Sequence, residues 1–201
     1  MTVKTSNRIK NVKSKLLSDN YYILKKLSFD YLMTNGNWVN QMREVYDRGD
    51  GAGILLYNIE KQTVILTKQF RMPTLQNDSD DGFLVEICAG MLDKDNPVAC
   101  IIRETEEEVG YRITEVKKVY EAYTSPGVMT EKMHFFIAEY TDAMKVNDGG
   151  GLKTESETED IEVLELPFTE AIKMLNDGEI QDMRTIVLLQ YAIINKLVSL
   201  A

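Results

Sequence analysis

Apolar and polar side chains alternate through residues 21–33, YYILKKLSFDYLM, with the period of two that marks a strand with one covered face. Asn35-Gly36 follows, a pair suited to a tight hairpin turn, and residues 38–46 read as the return strand. Residues 51–57 and 63–70 repeat the hairpin pattern with many β-branched and apolar residues, and residues 84–88 make a short further strand. The pattern then changes to that of a helix over residues 97–109. Asn96 is placed to cap it, Pro97 takes the first helical position and Gly110 closes it. Strand patterns return at 115–123, 134–140 and 161–166. Between the last two lies KVNDGGGLKTESETED, residues 145–160, where three glycines and an acidic tail predict a mobile loop. Thr169 is the predicted cap of a helix ending near residue 175. A longer helix over 183–198 should bury Ile186, Leu189, Tyr191, Ile193 and Leu197. Trp38, Phe135 and Phe136 read as core. Strands, a central helix, more strands and then helices predict an α+β layered domain.

Composition narrows the class without changing this picture. At 201 residues, 44% hydrophobic and 27% charged, the chain can bury roughly 70% of its unfolded surface without disulfide or metal staples. It has no apolar run of about 18 residues to span a membrane. The basic start, MTVKTSNRIKNVKSKLL, lacks the apolar stretch of a secretory signal. Cys88 and Cys100 fit no zinc or redox spacing and read as buried reduced thiols, which points to the cytoplasm. The formal net charge of -9 disfavours nucleic acid and anionic membrane as partners. An anionic substrate would need metal ions or local arginines to reverse the sign at its site. His134 is the only histidine, so a histidine triad is poorly supported. No GxSxG, P-loop or dinucleotide glycine pattern occurs.

The chemistry is concentrated in CAGMLDKDNPVACIIRETEEEVGY, residues 88–111. At ~100° per residue on a helix, Glu107 and Glu108 lie roughly -60° and +40° from Glu104, while Glu106 points away. Three carboxylates on one face repel one another unless water screens them or a cation lies between them. They suit a hard, oxygen-seeking cation such as Mg²⁺. A solvated helix face would give the same pattern. Ala89-Gly90, between strand and helix, lets bare backbone approach a ligand or metal.

This stretch closely resembles the Nudix hydrolase box. That box reads glycine, five residues, glutamate, seven residues, then Arg-Glu-apolar-any-Glu-Glu-any-Gly-apolar. Here Gly90 is followed by five residues, Asn96, six residues and RETEEEVGY, with Thr105 at the apolar position. Asn96 replaces the first glutamate and the spacer is one residue short. The short spacer resembles the branch of the family that cleaves nucleoside-diphosphosugars. The likeness extends through LSDNYY, REVYDRG, ILLYN, QFR, AGMLD, SPG, HFFIAEY, GGG and DIEVLELPF, nearly the whole chain.

The resemblance implies a Nudix-type α/β/α sandwich with a mixed sheet over residues 49–201. It implies an N-terminal antiparallel β-sheet over residues 1–48 that serves dimerisation. It further implies Mg²⁺, or Mn²⁺, held by Glu104, Glu108, Glu159 and the Ala89 carbonyl. Glu107 would share that face or pair with Arg103. Glu159 is the first candidate for the base, with Asp160 beside it, and Glu155 and Glu157 read as solvated. Tyr21, Arg43, Glu44, Arg71, Ala89, Gly90, Glu131 and Arg184 match substrate-binding positions, and Pro126 matches a proline found in ADP-ribose and nucleoside-diphosphosugar hydrolases. The implied reaction is hydrolysis of GDP-mannose to GMP and mannose 1-phosphate, in a homodimer whose site draws on both chains. ADP-ribose hydrolysis is the nearest alternative, and a silent nucleotide-sugar sensor, suggested by Asn96, is another.

Overall fold

The computed structural model describes residues 6–77, 79–92, 96–151 and 159–198, and these form two compact units. The first unit comprises residues up to Asp50 together with residues 122–132. It holds three antiparallel strands in the order β1 (Ile9–Ser18), β2 (Ile23–Leu32) and β3 (Trp38–Asp47). The β2–β3 hairpin turns at Asn35-Gly36, where Gly36 has φ +84°, a value that favours glycine. The segment 122–132 joins this unit through Tyr46, whose N–H donates to the Val128 carbonyl at 2.8 Å and whose carbonyl accepts from the Thr130 N–H at 3.1 Å.

The expected hairpin is therefore a three-stranded sheet. The first strand, IKNVKSKLLS, is an edge strand rich in lysine with a register shift after Lys10, where Asn11 takes φ +54°. Charge and irregularity are common on strand edges and erase the alternation by which a strand is recognised. Trp38 also departs from expectation. It is 41% exposed, with the Lys10 Nζ over its ring, 3.8 Å from the centroid. Alternation assigns a side chain to a face of a strand, but it does not say whether that face is covered.

The second unit is built on a seven-stranded mixed sheet whose main path runs β10 (Ile161–Pro167), β5 (Thr63–Phe70), β4 (Gly51–Asn58), β9 (Lys132–Glu139) and β8 (Lys117–Tyr123). Strand β4 runs parallel to β9 and antiparallel to β5. Alternate residues of the central strands enter different cores. Leu55, Val64, Leu66, Phe135 and Ile137 pack with α3 (Phe168–Asp177) and α4 (Met183–Ile194) through Phe168, Ala171, Leu188, Leu189 and Ala192. Ile54, Leu56, Ile65, Phe136 and Ala138 pack with α2 (Pro97–Val109) through Cys100, Ile101 and Val109. The result is the expected α/β/α sandwich. Because β4 is covered on both faces, it reads as a continuous apolar run.

The single strand expected at residues 84–88 is two strands, β6 (Phe83–Glu86) and β7 (Cys88–Met91). β4 and β5 pair only at residues 56–58 and 63–65. Beyond that point β6 pairs with β5, and β7 with β4. Ile87, at the break, is fully buried and its N–H donates to the Thr185 Oγ1 at 2.8 Å. A four-residue helix, α1 (Met72–Leu75), had no clear sequence signal.

Thr169 does not cap α3. The cap lies two residues earlier, at Pro167, and the Phe168 N–H donates to the Gln62 carbonyl at 2.8 Å. α4 stops at Ile194, since Lys196 takes φ +51°, and buries Leu188, Leu189 and Ala192; Ile186, Tyr191, Ile193 and Leu197 are only partly covered. Both cysteines are buried and free, as expected.

Candidate active site

Helix α2 and the adjoining β7 carry the acidic cluster. The Asn96 side chain accepts from the Val98 and Ala99 N–H groups at 3.0 and 2.9 Å, and Gly110 ends the helix at φ +78°. Asn96 thus supplies the N-cap directly, an interaction worth about 1 kcal/mol. Thr105, at the box's apolar position, is fully buried, and its hydroxyl donates to the Ile101 carbonyl at 2.6 Å, so the residue fits the core without an unsatisfied group.

Glu108 is only 4% exposed, and its Oε2 accepts from the Ala89 N–H at 3.1 Å. Burial pushes its pKa up to about 8, and the charges of Glu104 and Glu159 push in the same direction. Burial also raises the Glu104 pKa; Arg103 opposes this, while Glu107 and Glu159 add to it. Arg103 reaches Glu104 Oε1 at 2.9 Å and Glu107 Oε2 at 2.7 Å, so Glu107 serves the orienting ion pair. Glu106 lies outside this group and takes two bonds from Arg112, at 2.9 and 2.7 Å. Gly90 allows the close approach between strand and helix, since a Cβ on Gly90 would overlap Cγ, Cδ and Oε1 of Glu104.

The loop after β9 is tied to the last turn of α2. Gly150 N–H donates to the Glu108 carbonyl at 2.9 Å and Gly151 N–H to the Glu107 carbonyl at 3.2 Å. Gly149, Gly150 and Gly151 all have positive φ, and a Cβ on Gly151 would lie 2.6 Å from Cβ and Oε2 of Glu159. The near end of the expected mobile loop is therefore docked, while Glu155 and Glu157 lie outside the described residues. Glu159 and Asp160 are exposed.

Among the described residues, no three acidic, histidine or cysteine side chains already converge as a formed metal centre. Glu104 is held by Arg103 and Glu108 by Ala89. Even so, the donor set fits a divalent cation. The charge of Glu159 opposes ionisation of both Glu104 and Glu108, and that of Glu104 opposes ionisation of Glu108, so a cation among them would relieve that repulsion.

Two of the predicted arginines meet on one carboxylate that the sequence reading missed. Arg71 donates through Nε and Nη2 to the two oxygens of Glu86 at 2.9 and 2.7 Å. Arg184 donates to Glu86 Oε2 at 2.7 Å and to Asp182 Oδ1 at 2.9 Å. Glu86 is only 1% exposed. The available signal was a glutamate inside the otherwise apolar FLVEIC, since such a residue needs partners when buried.

The other predicted positions belong to the first unit. Tyr21 is 84% exposed. Arg43 is exposed and donates to the Met42 carbonyl and to Gln41 Oε1, at 2.7 and 3.1 Å. Glu44 is exposed on β3 opposite Lys26. Glu131 is 7% exposed, accepts from Thr124 Oγ1 at 2.6 Å and lies 3.3 Å from the Arg48 Nε. Pro126 sits in a turn closed by the Val128 and Met129 N–H groups on the Ser125 carbonyl.

Comparison with known proteins places this geometry. Residues 47–188 match the NUDIX domain, and residues 8–46 match the GDP-mannose pyrophosphatase NudK N-terminal domain. The chain is 57% identical over 189 residues to the GDP-mannose pyrophosphatase of Pectobacterium atrosepticum, covering 94% of this chain and 96% of that protein. It is 54% identical over 186 residues to that of Citrobacter koseri, covering 92% and 95%. It is 55% identical over 192 residues to that of Yersinia enterocolitica, covering 96% and 98%.

Proposed function

Because this chain belongs to the NUDIX family, whose members generally use a divalent metal, we propose that it hydrolyses the diphosphate bond of nucleoside-diphosphosugars, with GDP-mannose giving GMP and mannose 1-phosphate. The observation that carries this reading is the carboxylate pair on α2, with Glu108 buried and the half-buried Glu104 packed against the bare backbone of Gly90.

Glu104, Glu108, Glu159 and the Ala89 carbonyl would hold Mg²⁺, or Mn²⁺ in its place. Such an ion, when bound, neutralises the diphosphate and stabilises charge on the leaving phosphate. The burial of Glu108 keeps competing water away from one side of the site. The guanidinium groups of Arg71 and Arg184 offer forked donors suited to phosphate oxygens. Glu159, exposed and lying beside the glycine turn that is bonded to α2, is the first choice to accept the proton of the attacking water, with Asp160 beside it. Tyr21, Arg43, Glu44 and Glu131 complete the substrate-binding set in this proposal.

We further assign residues 1–48 to assembly and 49–201 to catalysis, in a homodimer whose site draws on both chains. Exposed Leu16, Leu17, Ile23, Trp38, Val39 and Met42 on the first sheet support this assignment. Among the described residues no helix is long and apolar enough to cross a membrane. The two free, buried cysteines support a cytoplasmic location. Asn96 acts as a helix cap, which favours turnover over a silent sensor.

The test is a substrate panel with Mg²⁺ and a chelator control. Release of GMP from GDP-mannose is expected. Preferential release of AMP from ADP-ribose would replace the substrate, and binding without turnover would replace the enzyme with a sensor.

A further inference from the structure

Glu86 spends both carboxylate oxygens on arginines. Oε1 accepts from Arg71 Nε, and Oε2 accepts from Nη2 of both Arg71 and Arg184, each at 2.7 Å. The second arginine is also held from its other side. Asp182 Oδ1 takes the Arg184 Nε at 2.9 Å, while Oδ2 takes the N–H and the hydroxyl of Thr185 at 2.9 and 2.7 Å. Thr185 Oγ1 in turn accepts from the N–H of Ile87, the residue that follows Glu86. The β6–β7 break and the start of α4 are thereby closed into one network.

Two guanidinium groups and two carboxylates make that network neutral overall, so it needs no outside counter-ion to fold. Each guanidinium has five N–H donors in a rigid fork, and only some are used here. The Arg71 and Arg184 side chains are 37% and 20% exposed, whereas Glu86 is 1% exposed. The anchoring Glu86 is therefore hidden, while both arginine side chains stay partly exposed. Glu86 lies three residues before Ala89, whose N–H donates to Glu108 Oε2 at 3.1 Å, so the clamp and the acidic cluster meet on the β6–β7 segment, and Arg71 feels the charge of Glu108. Without Glu86, the Arg71 guanidinium would lose its partner near a carboxylate that the reaction needs for metal.

We infer that Glu86 and Asp182 are positioning residues of the diphosphate site, which hold Arg71 and Arg184 as a paired anion clamp beside the metal carboxylates and keep Arg71 from collapsing onto them. This inference rests on the pyrophosphatase reading above. Glu86 touches neither metal nor substrate in this scheme; it acts only through the two arginines. A purely structural role, tying β6 to α4, would show in stability alone.

The test is binding of inorganic pyrophosphate, measured by calorimetry without divalent metal at fixed ionic strength, together with KM and kcat for GDP-mannose in Mg²⁺. Glu86→Gln should weaken pyrophosphate binding at least tenfold and raise KM by a similar factor, with a smaller change in kcat. In a chain already carrying Arg71→Met and Arg184→Met, the same substitution should cost no further affinity. Should Glu86→Gln fail to fold, Asp182→Asn decides, because asparagine caps a helix as well as aspartate does. It should weaken pyrophosphate binding severalfold, and not at all once Arg184 is methionine. Wild-type affinity in the folded variant used, or an equal loss with and without the arginines, would overturn the inference. A wild-type enzyme that hydrolyses no nucleoside-diphosphosugar would overturn the pyrophosphatase reading instead, and the pyrophosphate cycle would still decide the role of Glu86.

Discussion

Replacing Gly90 with alanine separates the demands of the fold from those of the chemistry. Gly90 lies in β7 and is not among the positive-φ residues, so alanine brings no backbone strain. The atoms nearest the new methyl all belong to Glu104, whose Cγ, Cδ and Oε1 fill its space. To regain an ordinary carbon–carbon separation of roughly 3.5 Å, the carboxylate must retreat by about 1 Å. The fold can accept this cheaply. The obstacle is the end of a flexible side chain that is 15% exposed, and overpacking of this kind costs about 1 kcal/mol. That corresponds to a fall in melting temperature of roughly 2–4 °C for a chain of this size. The chemistry cannot accept it so easily, because a misplacement of about 1 Å at a reacting centre costs on the order of 100-fold in rate, or about 2.7 kcal/mol. Hydrolysis of GDP-mannose across a Mg²⁺ series, beside a thermal melt, measures both. The expected outcome is a roughly hundredfold lower kcat/KM and a higher metal requirement in a protein that still melts cooperatively. A folded Gly90→Ala protein with wild-type rate and metal dependence would show that Glu104 does not hold metal where it now stands.

Glu108→Gln should lower turnover by about 10²–10³, while Glu106→Gln, which loses only the exposed contact with Arg112, should leave it near wild type; small, equal effects would return the acidic helix to a solvated face. Gly151→Ala and Gly178→Ala impose the same left-handed strain, at φ +78° and +79°, and each should cost about 1–2 kcal/mol in denaturant unfolding. Only the Gly151 substitution crowds Glu159, so only it should also slow hydrolysis, by roughly tenfold or more; equal rates in the two variants would remove the positioning role of the glycine turn. Light scattering should give about twice the 23.0 kDa chain mass. Mixing inactive Arg43→Ala and Glu108→Gln chains should restore activity, and either a monomer or an exchanged heterodimer without rescue would refute a shared site.

Elements whose cause is local were legible from the residues alone. Asn96, Pro97 and Gly110 delimit α2 because capping and φ preferences act within a few residues. The hundred-degree step of a helix separates Glu106 from Glu104 and Glu108 wherever that helix sits. The paired hairpin of β2 and β3 follows from alternation and Asn35-Gly36. What the sequence left open depends on partners distant along the chain. Strand β1 has little alternation of its own and is a strand because β2 pairs with it. Residues 83–91 form two strands because β4 and β5 part and each takes its own partner. Glu86 drew no attention as one acid in an apolar stretch. Only the fold, by bringing Arg71 and Arg184 from 15 and 98 positions away, makes its burial tolerable. Trp38 shows the converse: an aromatic on a clear strand was assigned to the core, but coverage of a sheet face is a tertiary fact that alternation cannot carry.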